Sequence, residues 1–239
     1  VSPGRSFAGE TEDYGVSLEM NWDLGGANLT SITGYRHYTS GQGSDTDYGR
    51  VDILFRTPSD DAFRQFKTFS QELRLQGEAF GGALDWLVGA YYADEDLTVQ
   101  DNLRFGTQYG RFATCRIISG GGLAGLYSPT SPGCVVPGVG PATIAGATGG
   151  GQTGTDIANG FALLDTLNNR GSTIDRYFQN SRNWALFTHN IINITDTLDV
   201  TLGLRYTNER KRFNATFGND NTVCTALQGS LTDDLVSPN

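Results

Sequence analysis

Tyr14-Gly15-Val16-Ser17-Leu18-Glu19-Met20-Asn21-Trp22-Asp23 decides the fold of this chain. Its even positions are apolar (Tyr14, Val16, Leu18, Met20, Trp22) and its odd positions small or polar. Strand side chains point alternately to opposite faces, so period-two alternation predicts a strand with one apolar and one polar face. Gly25-Gly26 supplies a tight turn, and a partner strand follows over Leu29 to Tyr38, with either register open. Working outward, Phe69, Leu73 and Leu75 oppose Ser70, Glu72, Arg74 and Gln76, and the next turn falls at 78–82. Leu84, Trp86, Val88, Ala90 and Tyr92 then alternate with Asp85, Leu87, Gly89, Tyr91 and Ala93. A third pair runs from about Asn183 to Ile192, with its register open. It turns at 193–197 and returns through Leu198, Val200, Leu202, Leu204 and Tyr206, set against Asp199, Thr201, Gly203, Arg205 and Thr207. About six strands in three hairpins are expected.

The connections are unequal. Turns within hairpins are short, whereas 40–66 and 100–182 separate the hairpins. Loops of more than about 12–15 residues without structure of their own are uncommon in compact domains. Short turns on one side and long loops on the other are the asymmetry of an outer-membrane barrel. The expected fold is therefore all-β, a segment of a transmembrane antiparallel β-barrel. Energetics choose the lipid face: an Arg or Lys at the midplane of such a barrel costs about 2–4 kcal/mol. A one-residue slip would turn Glu72 and Arg74 toward hydrocarbon. Glu19, Asp23, Glu72, Arg74, Asp85, Asp199 and Arg205 are accordingly expected to face the lumen, joined in a cross-strand charge network. A soluble antiparallel sandwich also alternates. Against it stand the long strand near 84–99, aromatics at the strand ends and the unequal loops.

Composition narrows the function. The 239 residues are 38% hydrophobic and 18% charged, with 32 Gly and a net charge of −9, which argues against nucleic acid as the main partner. No apolar run approaches the roughly 18 residues of a membrane-spanning helix. Val1 opens the chain and residues 1–20 carry no leader pattern, so a mature or trimmed chain is expected, and Thr232–Asn239 reads as loop. Residues 107–181, rich in Gly and Pro, are expected to form no core of their own beyond one short helix over Asp156–Asn168. Cys115 and Cys134 lie in this loop; in an oxidising surface setting they are expected to bridge, worth about 3 kcal/mol on a chain-entropy model. Cys224 is left without a partner. Glu10, Glu12, Asp13, Asp45, Asp47, Asp60 and Asp61 read as solvated loop charges, with no twelve-residue calcium loop among them. His37 and His189 are the only imidazoles, and neither a nucleophile elbow nor a zinc-protease motif is present. No enzyme, cofactor or metal site is expected.

A family likeness is carried by Phe69-Ser70-Gln71-Glu72-Leu73-Arg74-Leu75-Gln76 with Leu84-Asp85-Trp86-Leu87-Val88-Gly89-Ala90-Tyr91-Tyr92. Trp184-Ala185-Leu186-Phe187, Ile194–Leu198 and Leu202-Gly203-Leu204-Arg205-Tyr206 carry it further, as does Leu29–Arg36. These stretches resemble hairpins of TonB-dependent outer-membrane receptors. The resemblance implies a barrel of about 22 strands closed by an N-terminal plug. It also implies the outer membrane of a Gram-negative bacterium, contact with its lipid, and energy received from TonB through the plug. The cargo implied is a scarce small molecule, most commonly a ferric siderophore. Residues 1–239 then read as an internal barrel segment lacking the plug and remaining strands. Tyr109, Phe112 and Tyr127 in the long loop become candidate ligand contacts, as rigid aromatic area. A passive porin, uptake of carbohydrate or cobalamin, and a soluble β-sandwich binding module are the competing readings.

Overall fold

The computed structural model describes residues 4–120, 123–131, 134–221 and 223; the expectations for Cys224 and for 232–239 lie outside them. The chain is mostly antiparallel sheet. Strands β1 (Glu10–Asp23), β2 (Ala27–Gly41), β5 (Ala62–Ala79), β6 (Leu84–Asp101), β8 (Arg176–Thr195) and β9 (Leu198–Thr216) form one six-stranded sheet in that order. Each strand is hydrogen-bonded to its neighbour in sequence along this series, so the sheet is a plain meander. β3 (Ser44–Asp45), β4 (Leu54–Arg56) and β7 (Arg104–Phe105) make a small second sheet at the loop end. Helices α1 (Tyr109–Gly120), α2 (Pro141–Ala147) and α3 (Gly151–Leu164) lie in the long connection between β6 and β8.

The turns follow from local chemistry. Gly25 takes φ +79° and donates its N–H to Asp23 Oδ1 at 2.8 Å, closing the β1–β2 hairpin with an Asx-type contact. Asn193 Nδ2 reaches the Gly82 carbonyl at 2.7 Å and ties two neighbouring turns together.

The strands run further than the alternation suggested. Ser40 and Gly41 belong to β2, Ala62–Phe66 to β5, Gln100 and Asp101 to β6, and 176–182 to β8, so the stretches 40–66 and 100–182 are only partly loop. Alternation records which side chains meet an apolar phase, whereas a ladder needs only paired backbone groups. Where both faces turn polar, as at Arg64-Gln65 and Asn180-Ser181-Arg182, the ladder continues without a period-two signature.

The long connection also has a core, contrary to the expectation for 107–181. Ile118, Leu123, Ile144, Ala158 and Leu167 are buried there. Close approach replaces side-chain bulk. A Cβ on Gly154 would lie 2.4 Å from the Ala145 carbonyl oxygen, and one on Gly110 would lie 2.6 Å from that of Leu164. Glycine at these two contacts lets α3 meet α2 and α1 backbone to backbone, which a count of large apolar residues cannot register. The helix expected over 156–168 is present as α3 but is displaced, starting at Gly151 and ending at Leu164. The Cys115–Cys134 disulfide is formed and pins α1 to the segment after it.

Within the large sheet the only buried hydrophobic side chains are Ala93 and Ala185. Among the described residues no second layer covers either face.

Candidate functional site

The registers sort the sheet into two chemically distinct faces. One carries Tyr14 to Trp22 from β1, Leu29 to Tyr35 from β2, Phe69 to Leu75 from β5, Leu84 to Tyr92 from β6, Trp184 to Ile192 from β8 and Leu198 to Tyr206 from β9. In β1, β6, β8 and β9 the apolar series spans about nine residues, at the short end of the 9–11 that a tilted membrane strand requires. It is open to the surroundings: Val16 is 69% exposed, Leu202 56% and Leu204 74%. Contiguous apolar area of this kind marks an interface with an apolar phase or partner.

Both open registers are settled by these pairings. Ser31, Thr33 and Gln71 fall on the apolar face and hydrogen-bond to one another. Thr33 Oγ1 donates to Gln71 Oε1 at 2.6 Å, and Gln71 Nε2 donates to Ser31 Oγ at 3.0 Å. Asn190 similarly donates to Thr188 Oγ1 at 3.0 Å, which itself donates to the Leu87 carbonyl at 2.8 Å. Mutual satisfaction of this kind is what polar groups need where no water competes.

The loop-side edge of the apolar series is aromatic and runs obliquely. It passes through Tyr14, Tyr35, Phe69, Tyr92, Trp184 and Tyr206. Following the register from Tyr206 through Leu186, Ala90, Leu73 and Ser31 leads to Met20 in β1, not to Tyr14. The edge therefore drops about six residues, or roughly 20 Å, over five strand spacings of about 4.8 Å each. That is a slope of about 40° to the strand normal, within the 35–45° strand tilt of outer-membrane barrels. Just past the edge the same face turns charged, with Lys67, Asp94, Asp96, Arg182, Arg210 and Arg212.

The opposite face carries Glu19, Asp23, Glu72, Arg74, Asp85, Asp199 and Arg205 together. The expected cross-strand charge network is not what joins them. Across the strand Glu72 meets Ile32, Arg74 meets Thr30, Asp23 meets Asn28 and Arg205 meets Phe187, all neutral. Glu72 and Arg74 pair along their own strand instead. The Arg205 guanidinium stacks at 5.4 Å from the Phe187 ring centre and 5.8 Å from that of Tyr91. Phe187 lies flat over Gly89, where a Cβ would come within 2.2 Å of the ring. At the short-turn end this face holds a cavity of about 640 Å³ lined by Asp23, Gln76, Glu78, Asp85 and His189 among others. His37 belongs to the other face, its Nδ1 2.6 Å from the Tyr14 hydroxyl.

At the loop end, a buried polar junction fixes the helical segment to the strand tops. Asp61 accepts Arg104 Nε at 2.7 Å and the Thr57 hydroxyl at 2.7 Å. Asn102, 1% exposed, accepts the Asp175 N–H at 2.7 Å. Asp52 accepts the Thr107 N–H at 2.9 Å and pairs with Arg5, whose guanidinium lies 3.5 Å from the Phe55 ring centre. The solvated-loop reading of the acidic residues holds for exposed Asp60, holds as to solvent but not as to loop for Glu10, Glu12 and Asp13, and fails for Asp61. Asp61 is buried, and Glu10, Glu12 and Asp13 lie in β1. Asp47 accepts backbone N–H groups from Gly49 at 2.9 Å and Ile53 at 3.1 Å. Partial burial pushes its carboxyl up, but these donors, with the Leu54 N–H, outweigh it and hold the group below the usual carboxylate range. Asp52 and Asn102 carry no sequence signature, since their partners lie 55 and 73 residues away.

The candidate ligand contacts separate. Tyr109 packs inward, its ring 4.2 Å from that of Phe105, while Phe112 and Tyr127 are 43% and 41% exposed. A cleft of about 290 Å³ lies at the loop ends of β2, β5 and β6, bordered by Tyr38, Arg56, Arg64 and Asp101 and by none of the three candidates. Among the described residues no three His, Cys, Asp or Glu side chains converge to hold a metal ion. Comparison with known protein families and with curated proteins gives no match for this sequence.

Proposed function

We propose that this chain forms part of the wall of an outer-membrane receptor of the TonB-dependent type, which imports a scarce small molecule without bond chemistry. The observation that carries the reading is the oblique apolar band. It has the strand length and the tilt that a lipid-spanning barrel requires, and its polar residues hydrogen-bond to one another or to the backbone. A layer with its apolar face uncovered is unstable in water unless another apolar phase receives it. Hydrocarbon is such a phase, and it leaves the charged face to a water-filled lumen. Cargo would then be taken at the helical loop end, where Phe112 and Tyr127 are exposed. It would pass the polar face beside Arg205 when a plug rearranges. Among cargoes, a ferric siderophore follows from the family resemblance alone.

Nitroxide labels on the full-length protein in native outer-membrane vesicles test the band. Labels at Val88 and Leu202 are expected to collide with oxygen and be shielded from a water-soluble nickel chelate, and labels at Thr68 and Thr207 to do the reverse. Aqueous surroundings at Val88 and Leu202 sink the proposal. Induction by iron starvation tests the cargo; indifference to iron removes the siderophore.

A further inference from the structure

We propose that Arg182, Arg210 and Arg212 form an outward-facing docking surface for the phosphate groups of an anionic lipid in the outer leaflet. The inference rests on the membrane reading above and assigns named residues to the phosphates of that membrane's lipid.

Three observations converge on this patch. The first is position: all three arginines share the apolar face, on the loop side of its aromatic edge. Arg182 stands one alternation step beyond Trp184, and Arg210 and Arg212 stand two and three beyond Tyr206. On tilted strands these steps correspond to heights of roughly 5 to 15 Å above the hydrocarbon edge, from which long side chains can reach down to headgroups.

The second is charge. Arg182 and Arg210 are direct cross-strand partners on one face. Like charges so placed repel, and an anion between them reverses the sign. Asp94 engages Arg182 through Nε alone, at 2.9 Å, and is itself shared with Asn180 at 2.7 Å. Asp96 is also bonded by Asn180, at 2.8 Å. The acidic pair on β6 is thus occupied by β8. Arg210 and Arg212 make no ion pair among the described residues and are exposed.

The third is the contrast with the opposite face at the same height. There Lys211 is matched by Glu209 at 3.2 Å, and Glu209 also accepts the Ser181 hydroxyl at 2.9 Å. The inward side of β9 balances its charge internally, whereas the outward side leaves planar guanidinium forks in a row. Such forks suit bidentate phosphate recognition.

The test uses full-length protein purified in detergent, stripped of bound lipid and titrated with diphosphoryl lipid A, monophosphoryl lipid A and inorganic phosphate. Wild-type protein is expected to prefer the diphosphoryl form, lose affinity with added salt and bind free phosphate far more weakly than either lipid. Arg210→Gln with Arg212→Gln is expected to weaken diphosphoryl lipid A binding about thirty-fold, from roughly 1 kcal/mol per cation near an anionic membrane surface. Lys211→Gln is expected to leave it unchanged. Equal affinity of the double variant and the wild type overturns the inference, as does free phosphate that displaces lipid A completely. A nitroxide at Leu202, read in the same samples after reconstitution, separates the two failures. Lipid contact there with unaltered lipid A affinity refutes the docking surface alone, whereas water contact refutes the membrane reading beneath it.

Discussion

Leu18 and Asn208 occupy one register row, linked through Thr33, Gln71, Tyr92 and Trp184. The oblique band nevertheless assigns them different depths. Leu18 sits midway along the apolar series of β1, and Asn208 lies one step beyond the aromatic edge in β9. Leu202, midway along β9, matches Leu18 in depth although the register separates them. Arginine at a barrel's lipid midplane costs about 2–4 kcal/mol, falling to about 0–1 kcal/mol near the interface. Leu18→Arg and Leu202→Arg should therefore each lose about 2–4 kcal/mol, and Asn208→Arg no more than about 1 kcal/mol. Thr201→Arg, next to Leu202 but on the opposite face, should be close to neutral. The assay is reversible guanidinium unfolding into and out of lipid vesicles, followed by tryptophan fluorescence. A sandwich core would also reject Arg at Leu18, but its costs would follow the register row, not a line crossing it at about 40°. Equal costs at Leu18 and Asn208, or at Leu202 and Thr201, refute the reasoning.

Other consequences are local. Replacing Cys115 and Cys134 by serine opens a closure 19 residues apart in sequence and should loosen α1 by about 3 kcal/mol; amide exchange over 109–120 reads the loss, with the large sheet unaffected. Gly89→Ala drives a methyl into the Phe187 ring and should destabilise by about 1–3 kcal/mol. Adding Phe187→Ala should recover part of it in a double-mutant cycle. Because the folded Asp47 carboxyl titrates below its unfolded value, its contribution is complete above the ordinary carboxylate pKa and disappears as pH falls through the lower folded value. Asp47→Asn should remove that acid-side dependence from exchange rates over 46–54.

Legibility in the sequence followed physical cause. β1, β6 and β9 are legible because one face of each is apolar along the whole band, unbroken from Tyr14 to Trp22 and from Leu198 to Tyr206. β2 was ambiguous because Ser31 and Thr33 face the apolar side and are made compatible with it by Gln71, a residue on another strand. β8 was ambiguous for a related reason, with Thr188 and Asn190 interrupting its apolar series. All seven charged residues read as sharing a face do share one, since face follows from parity; how they pair did not follow, since that depends on register. The helical core escaped notice because Gly110 and Gly154 pack by having no side chain. The junction around Asp52, Asp61 and Asn102 is built from contacts far apart in the chain, which leave no local trace.

The sheet is taller than its apolar band. Above Trp184, β8 still has about eight residues to run, which at about 3.3 Å each and a 40° slope lift its top roughly 20 Å above that band. Such a wall is a parapet. With acyl chains around its base, its helices and exposed rings would stand in the external medium above the crowded polar layer, and a dissolved molecule would meet the protein before it met the membrane.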